Sequence, residues 1–342
     1  MKSLISLFIL TALTTILCAQ KNVSFNLDDF ANELLLKGEK VNLKQPLTNP
    51  WKIELQDSLM FLLSSNTSPA VDIFNINTGE RITQFCLKGR GPAEMIYPFS
   101  LQSVKDKNEV IVQDLNGKKV ICYSLDKILD GNPKNYDNIV KIDSIYPSKL
   151  AKLADGNFFC SLIGHRDGYM NCIINDKGGV IKMLNKFPDI GIKYNNSVAS
   201  NLFQINLSAS SDLSKVIISY SNWGWIEVFN SKGECITRFI GPEFKKPDIS
   251  VKGSMGPVLT SKNVKTYGYA DASEKSFMVS YSGKNRVESN YFQNIMHFGF
   301  NGELICIYKL DKVVSDIQVD WEKQIIYGLN EELEPALYKF KF

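Results

Sequence analysis

The chain has 342 residues and a formal net charge of +3, with 44% hydrophobic and 22% charged residues. That apolar share excludes a disordered chain, and the basic residues are scattered without a polybasic tract, so nothing points to nucleic acid. Only two histidines occur, His165 and His297, and no cysteine pair has C-x-x-C spacing, which excludes three-histidine zinc centres and thioredoxin-type chemistry.

Residues 1–19 carry Lys2, an apolar run from Leu4 to Leu17, and then Cys18-Ala19. This has the shape of a secretory signal, and no other apolar run approaches the length that spans a bilayer. Cleavage after Ala19 leaves residues 20–342. Cys18 is the alternative, as a lipidated first residue, although lipoprotein signals take a small residue where Leu17 stands. The expectation is an exported protein of the periplasm or cell envelope, touching a membrane only through a lipid anchor at Cys18.

Residues 20–45 read as a helix followed by a single strand. Leu27, Phe30, Ala31, Leu34 and Leu35 fall at helical spacing within Asn26–Gly38, with acidic residues early and Gly38 as a stop. Glu39–Leu43 then reads as a single strand. Residues 46–342 repeat a hairpin. Val71–Phe85 holds an apolar strand, the turn Asn77-Thr78-Gly79 and a second strand; Val228–Phe239 repeats it as V-F-N-S-K-G-E-C-I-T-R-F. Further copies run over Ile295–Leu310, over Tyr169–Pro188 and, more weakly, from Lys119, where the longer segment Asp126–Asp137 replaces the turn. β-Branched and aromatic residues suit the strands, and Asn and Gly suit the turns.

Two further short strands precede each hairpin. Four strands recurring at roughly 40–50 residues is the period of propeller blades. The chain therefore reads as all-β, a six-bladed propeller of four-stranded antiparallel blades, at about residues 46–88, 97–144, 147–188, 201–241, 265–310 and 313–342. The last unit offers only three strands, so the N-terminal strand Val41–Leu43 is expected to complete it. Lys245–Asn263 is the longest irregular stretch and a candidate to cover part of one face.

Six cysteines follow Ala19: Cys86, Cys122, Cys160, Cys172, Cys235 and Cys306. Most fall inside predicted strands, where a small hydrophobe serves, so free thiols are expected. Cys160 and Cys172 flank a turn almost symmetrically and should face each other across neighbouring strands, which leaves a disulfide open there.

The run Gly89-Arg90-Gly91-Pro92-Ala93-Glu94, following I-F-N-I-N-T-G-E, resembles the Gly-x-Gly-Pro-x-Glu signature of the TolB-like six-bladed β-propellers. That resemblance covers essentially the whole chain after the signal. It implies an exported propeller or lipoprotein of the kind found in Bacteroides-type bacteria, and it is silent about activity.

For function, the sequence argues mainly by exclusion. A Ser-His-Asp triad would have to use His165 or His297, and no G-x-S-x-G elbow occurs. His297, in an alternating strand, reads as structural. No cofactor is predicted, but an oxygen-ligand site for calcium or magnesium at the channel mouth stays open; Asp114, Asn116, Asp155, Asn157, Asp271 and Asp320 sit near strand ends or turns. Blade topology places the second-to-third-strand links and the inter-blade links on one face. That face would carry Arg90, Glu94 and Tyr97, then His165, Arg166 and Asp167, then Asn222 and Trp223, and finally Arg286 and Tyr291. Arg, Trp and Tyr anchor partners and stack on sugars, while Arg90 and Glu94 could equally hold the turn and Trp223 could pack a blade. The leading expectation is a non-catalytic binding or scaffold propeller for a glycan, peptide or envelope protein. The alternative is a metal-dependent hydrolase or lactonase with carboxylates at the channel mouth. A quinoprotein dehydrogenase finds no recurring tryptophan docking motif.

Overall fold

The computed structural model describes residues 20–342 except 65, 133–134, 190, 192–193, 243–246, 252–256, 286–290 and 332–333. The expected signal, including Cys18, lies outside the described residues. Six antiparallel sheets follow one another along the chain, each ordered from the channel outwards. Blade 1 is Lys52–Gln56, Leu59–Leu63, Val71–Asn75 and Arg81–Phe85. Blade 2 is Pro98–Val104, Glu109–Asp114, Lys119–Ser124 and Asn138–Lys141; blade 3 is Pro147–Lys152, Phe158–Leu162, Asn171–Ile174 and Val180–Met183. Blade 4 runs from Ile205–Ala209 to Cys235–Ile240, and blade 5 from Val264–Ala272 to Leu304–Val314. Blade 6 has three strands of its own, Asp316–Asp320, Ile325–Asn330 and Ala336–Lys341.

The core lies between blades rather than at the centre. Six apolar clusters fill the six interfaces, from Phe61, Ile73 and Val112 between blades 1 and 2 round to Ile53, Phe74, Tyr327 and Leu337 between blades 6 and 1. Each blade is apolar on both faces because each is covered on both, and the ring closes without a bare sheet face. Removing those side chains from water is the main favourable term in folding.

The repeated turn has a local cause. The Asn75 side-chain oxygen accepts from the backbone N–H groups of Asn77 and Thr78 at 2.9 and 3.2 Å, and Gly79 adopts φ +74°. Asn230 takes the N–H groups of Lys232 and Glu234, and Asn175 those of Lys177 and Gly179, each ahead of a left-handed glycine. The recurrent Asn and Gly, three or four residues apart, are thus an Asn that satisfies the turn and a Gly that can adopt its backbone conformation.

The N-terminal segment departs from expectation. Only Leu27–Asp29 turns, as one 3-10 helix, and the predicted helix Asn26–Gly38 does not form. Lys21–Ser24 instead adds as a parallel fifth strand to the outer edge of blade 4, and Asn32–Leu36 does the same on blade 5. Short isolated helices are marginal in water, whereas a blade edge offers a row of unpaired N–H and C=O groups. The helical spacing misled because Leu34 and Leu35 stay exposed while Phe25 and Leu36 are buried. Blade 6 is closed by the N-terminus as expected, but through Gly38–Lys40 rather than Val41–Leu43. Gly38 is not a helix stop; a Cβ there would lie 2.6 Å from the Phe340 ring, so only glycine lets the strand cross it.

All six cysteines are free. Cys160 and Cys172 are direct cross-strand partners, as their spacing implied, and both are buried as thiols. Within Lys245–Asn263, Ile249–Val251 pairs with Pro257–Leu259, and Ile249 and Leu259 pack over the aromatic cluster of blades 3 and 4.

Candidate functional site

The innermost strands line a central channel that widens into a cavity of about 730 Å³. Its wall is built from those strands and the residues that enter them: Trp51, Lys52 and Glu54 from blade 1, Phe99 and Gln102 from blade 2, Lys149 from blade 3, Tyr269 and Asp271 from blade 5, and Gln318 from blade 6. The strand period of two is what sends Lys52 and Glu54 to the channel while Ile53 enters the apolar interface. The mouth is formed by the turns that follow these strands, with Asp57, Asp106, Glu274, Asp320 and Glu322.

The charges in the wall are unevenly satisfied. Lys52 Nζ lies 3.2 Å from Asp316 and 3.7 Å from Glu54, and 4.6 Å above the Tyr269 ring centre. Asp316 is fully buried behind the wall and accepts from the Ile53 and Ile317 N–H groups at 2.8 and 2.9 Å. Burial pulls the Lys52 ammonium down, but the Asp316 and Glu54 carboxylates outweigh it and hold the pKa above its usual value. Lys149 differs. Its Nζ donates to Asn206 at 2.6 Å and lies 4.9 Å from the Tyr269 ring centre, and among the described residues no carboxylate forms an ion pair with it. Burial, helped by the Lys52 charge, brings it down to about 7.

Two carboxyls move the other way. Glu54 has only the Ser103 N–H at 3.5 Å and Lys52 at 3.7 Å, and burial raises it to about 8. Asp271 accepts from Trp321 Nε1 at 2.6 Å, and burial raises it to about 6. Gln318 is 5% exposed and lines the cavity, and its side-chain amide has no hydrogen-bond partner among the described residues. A water-accessible space with weakly satisfied polar groups in a largely buried wall is the arrangement of a ligand pocket.

None of the ten residues singled out from sequence lines this cavity. They sit, where described, on the links expected of them, at the end of the propeller opposite the cavity mouth. Glu94 Oε2 accepts from the Gly91 N–H at 3.0 Å, and a Cβ on Gly89 would fall 2.0 Å from that oxygen, so this residue holds the turn. Arg90 is exposed. Tyr97 stacks on Phe99 with ring centres 5.8 Å apart, and Phe99 meets Trp51 at 5.2 Å, which links it indirectly to the cavity wall. His165 packs edge-on against Tyr169, and Arg166 and Asp167 lie beside it in an exposed turn with 3.5 Å between their charges. Trp223 is buried, donates to the Leu202 carbonyl at 2.9 Å and stacks on Phe203 and Trp225, each 4.9 Å away. It is a packing residue, with Asn222 buried beside it. Tyr291 is half-buried, and Arg286 lies outside the described residues.

The candidate metal ligands are also dispersed. Asp114 accepts three backbone N–H groups, from Ile96, Tyr97 and Gly117, at 2.8–2.9 Å. Asp155 bonds Asn157 across its own turn, and Asp320 pairs with Lys323 at 2.8 Å. Among the described residues no three His, Cys, Asp or Glu side chains gather as a metal site; the acidic groups at the centre surround the Lys52 ammonium. His297 bonds Ser276 at 2.9 Å, and burial lowers its pKa to about 4, so it stays neutral within its strand. Of the cavity-wall residues, Asp271 was among the candidate oxygen ligands read from the sequence, while Lys52, Glu54, Lys149 and Gln318 were passed over although they carried a signal. Each is a polar residue alternating with apolar ones in the first strand of a blade.

The TolB-like 6-blade propeller-like family matches residues 29–322. No curated protein matches the chain. Among solved structures, one similar fold is a Bacteroides fragilis protein assigned to export, 17% identical with a TM-score of 0.61, covering 94% of this chain and 99% of that one. A DUF4221-family member from Bacteroides vulgatus is 13% identical with a TM-score of 0.58, over 91% and 98% of the two chains. A streptogramin B lyase is 10% identical with a TM-score of 0.50, over 90% and 97%. At these identities the likeness concerns the fold. With the family match over most of its length, the chain belongs to the TolB-like six-bladed propellers.

Proposed function

We propose that this is an exported, non-catalytic binding propeller whose central cavity takes a small polar molecule, of the size of a sugar or a short peptide. The observation that carries this reading is the convergence of Glu54, Lys149, Asp271 and Gln318 on one aromatic-walled cavity of about 730 Å³, within the range of small-ligand pockets. Among the described residues no carboxylate forms an ion pair with Lys149 and Gln318 makes no hydrogen bond, so these groups are suited to holding a ligand. Residues 1–19 support export, as does the similarity to a Bacteroides protein assigned to export; Cys18 is the place for a lipid anchor if the chain is retained at a membrane.

A thermal-shift screen of residues 20–342 against sugars, amino acids and dipeptides tests the reading. It is run beside Ser100→Trp, which fills the cavity from its blade 2 wall. A ligand that raises the melting temperature of the parent and not of the filled variant supports the cavity as the site. A ligand that stabilises both equally would place binding elsewhere.

A further inference from the structure

We infer that the cavity selects a small organic cation carrying a primary ammonium, an amino sugar or a polyamine, with Glu54 and Gln318 as its receiving groups. The inference rests on the cavity being the binding site. Its first support is charge. The whole chain carries a net +3, yet five carboxylates (Asp57, Asp106, Glu274, Asp320 and Glu322) and two lysines (Lys105 and Lys323) stand at the cavity mouth, a surplus of three negative charges. At the mouth Lys105 is paired with Asp57 at 2.9 Å and Lys323 with Asp320 at 2.8 Å, while Asp106 and Glu274 have no ion-pair partner among the described residues. An acidic rim on a cavity raises the local concentration of cations and repels anions.

The second support is independent of that rim. Gln318 is 5% exposed, faces the cavity and leaves its amide unbonded. It stands two residues beyond Asp316, as Glu54 stands two beyond Lys52, on neighbouring strands that run in the same direction, while the Lys52–Asp316 pair joins those strands. Glu54 has no contact shorter than 3.5 Å to a donor. The pair therefore presents a carboxyl group, which becomes an acceptor once an entering cation displaces its proton, and an amide carbonyl. An ammonium supplies the donors both lack.

The third support is the wall itself. Lys52 and Lys149 already hold ammonium groups 4.6 and 4.9 Å from the Tyr269 ring centre, and Trp51, Phe99 and Trp321 offer further aromatic surface. A carboxylate ligand would find Lys52 already neutralised and would pass the acidic mouth first.

Calorimetric titration of residues 20–342 tests the inference, with spermidine and glucosamine as probes and N-acetylglucosamine and glucuronate as controls. The expected result is saturable binding of one or both amines and none of the controls; which amine binds distinguishes a polyamine from an amino-sugar ligand. Glu54→Gln lowers the affinity about tenfold or more and Gln318→Leu about fivefold, and Ser100→Trp abolishes it. Since Glu54 is largely protonated in the empty cavity, binding also releases a proton, seen as a heat that depends on the buffer. Binding of N-acetylglucosamine or glucuronate that Ser100→Trp abolishes would overturn the cation and leave the cavity standing. Amine binding unchanged in both Glu54→Gln and Gln318→Leu would overturn the assignment. Absence of saturable amine binding at millimolar concentration would do so as well, and a control bound equally by Ser100→Trp would remove the cavity reading with it.

Discussion

Two regions of this propeller bury charges, and they treat them in opposite ways. Where blade 2 meets the link from blade 1, Asp114 is fully buried and receives three backbone N–H groups, while the half-buried Lys119 donates from Nζ to the carbonyls of Gly91, Pro92 and Glu94 at 3.3, 2.9 and 2.5 Å. In the channel wall, Glu54 makes only contacts of 3.5 and 3.7 Å, Lys149 one hydrogen bond to a neutral amide, and Gln318 none among the described residues. A buried charge whose every partner is backbone is part of the architecture. A charge left half-satisfied beside a cavity is costly to keep, and it becomes intelligible when something else enters.

The sharpest way to break this contrast is to remove one group from each region. Asp114→Ala leaves three backbone donors without an acceptor and should cost about 3 kcal/mol or more, read by urea denaturation. Glu54→Gln replaces a largely neutral carboxyl and should change stability by about 1 kcal/mol or less near pH 7, whereas Lys149→Met removes a charge that the fold hardly satisfies and should stabilise. Equal losses in the two regions would erase the distinction.

Between these lies a backbone test. Gly178 adopts φ +83°, and a Cβ there would come 1.8 Å from the Lys141 carbonyl oxygen. Gly178→Ala should cost about 1–3 kcal/mol, whereas Gly156→Ala, with φ +87° and open space around it, should cost less. Thermal melts of the two variants separate the close approach from the conformation.

The remaining test is pH dependence. Glu54 rises from 4.5 to about 8, facing Lys52, Asp271 and Asp316. A carboxyl raised on folding contributes stability that is full below the unfolded pKa and is lost as pH rises through the folded one. Its contribution therefore falls between about pH 4.5 and 8. Lys149 drops from 10.5 to about 7, facing Lys52 and Asp316. There the folded state binds fewer protons than the unfolded one, so stability climbs from about pH 7 to 10.5. Together they produce a minimum near pH 7–8 in stability against pH; Glu54→Gln flattens its acid side and Lys149→Met its alkaline side.

Much of the fold could be read in the sequence because its signals are local. Asn75 and Gly79, or Asn230 and Gly233, define a turn from within a few residues, and the unit recurs often enough to count the blades. The N-terminal segment was harder, since the pairing partners of Asn32–Leu36 lie at Cys306–Leu310. A helical spacing of leucines carries no trace of a distant edge. The cavity wall was not singled out for a different reason. Topology identified the correct loops for the face chosen, but Trp223 and Glu94 are consumed by packing and turn bonds that spacing alone does not reveal. Lys52 and Glu54 were visible as charges alternating within a first strand, and their meaning depends on six strands meeting round one axis.

Trace acylation of the native protein at pH 7 with acetic anhydride, read lysine by lysine by mass spectrometry, asks directly whether the channel wall is open and under-satisfied. Lys149, reached through the cavity and with a pKa near 7, should react faster than the exposed surface lysines and far faster than Lys119, which is held by three carbonyls. A Lys149 left intact while surface lysines are modified would show a sealed wall, and the channel would then be architecture like the rest.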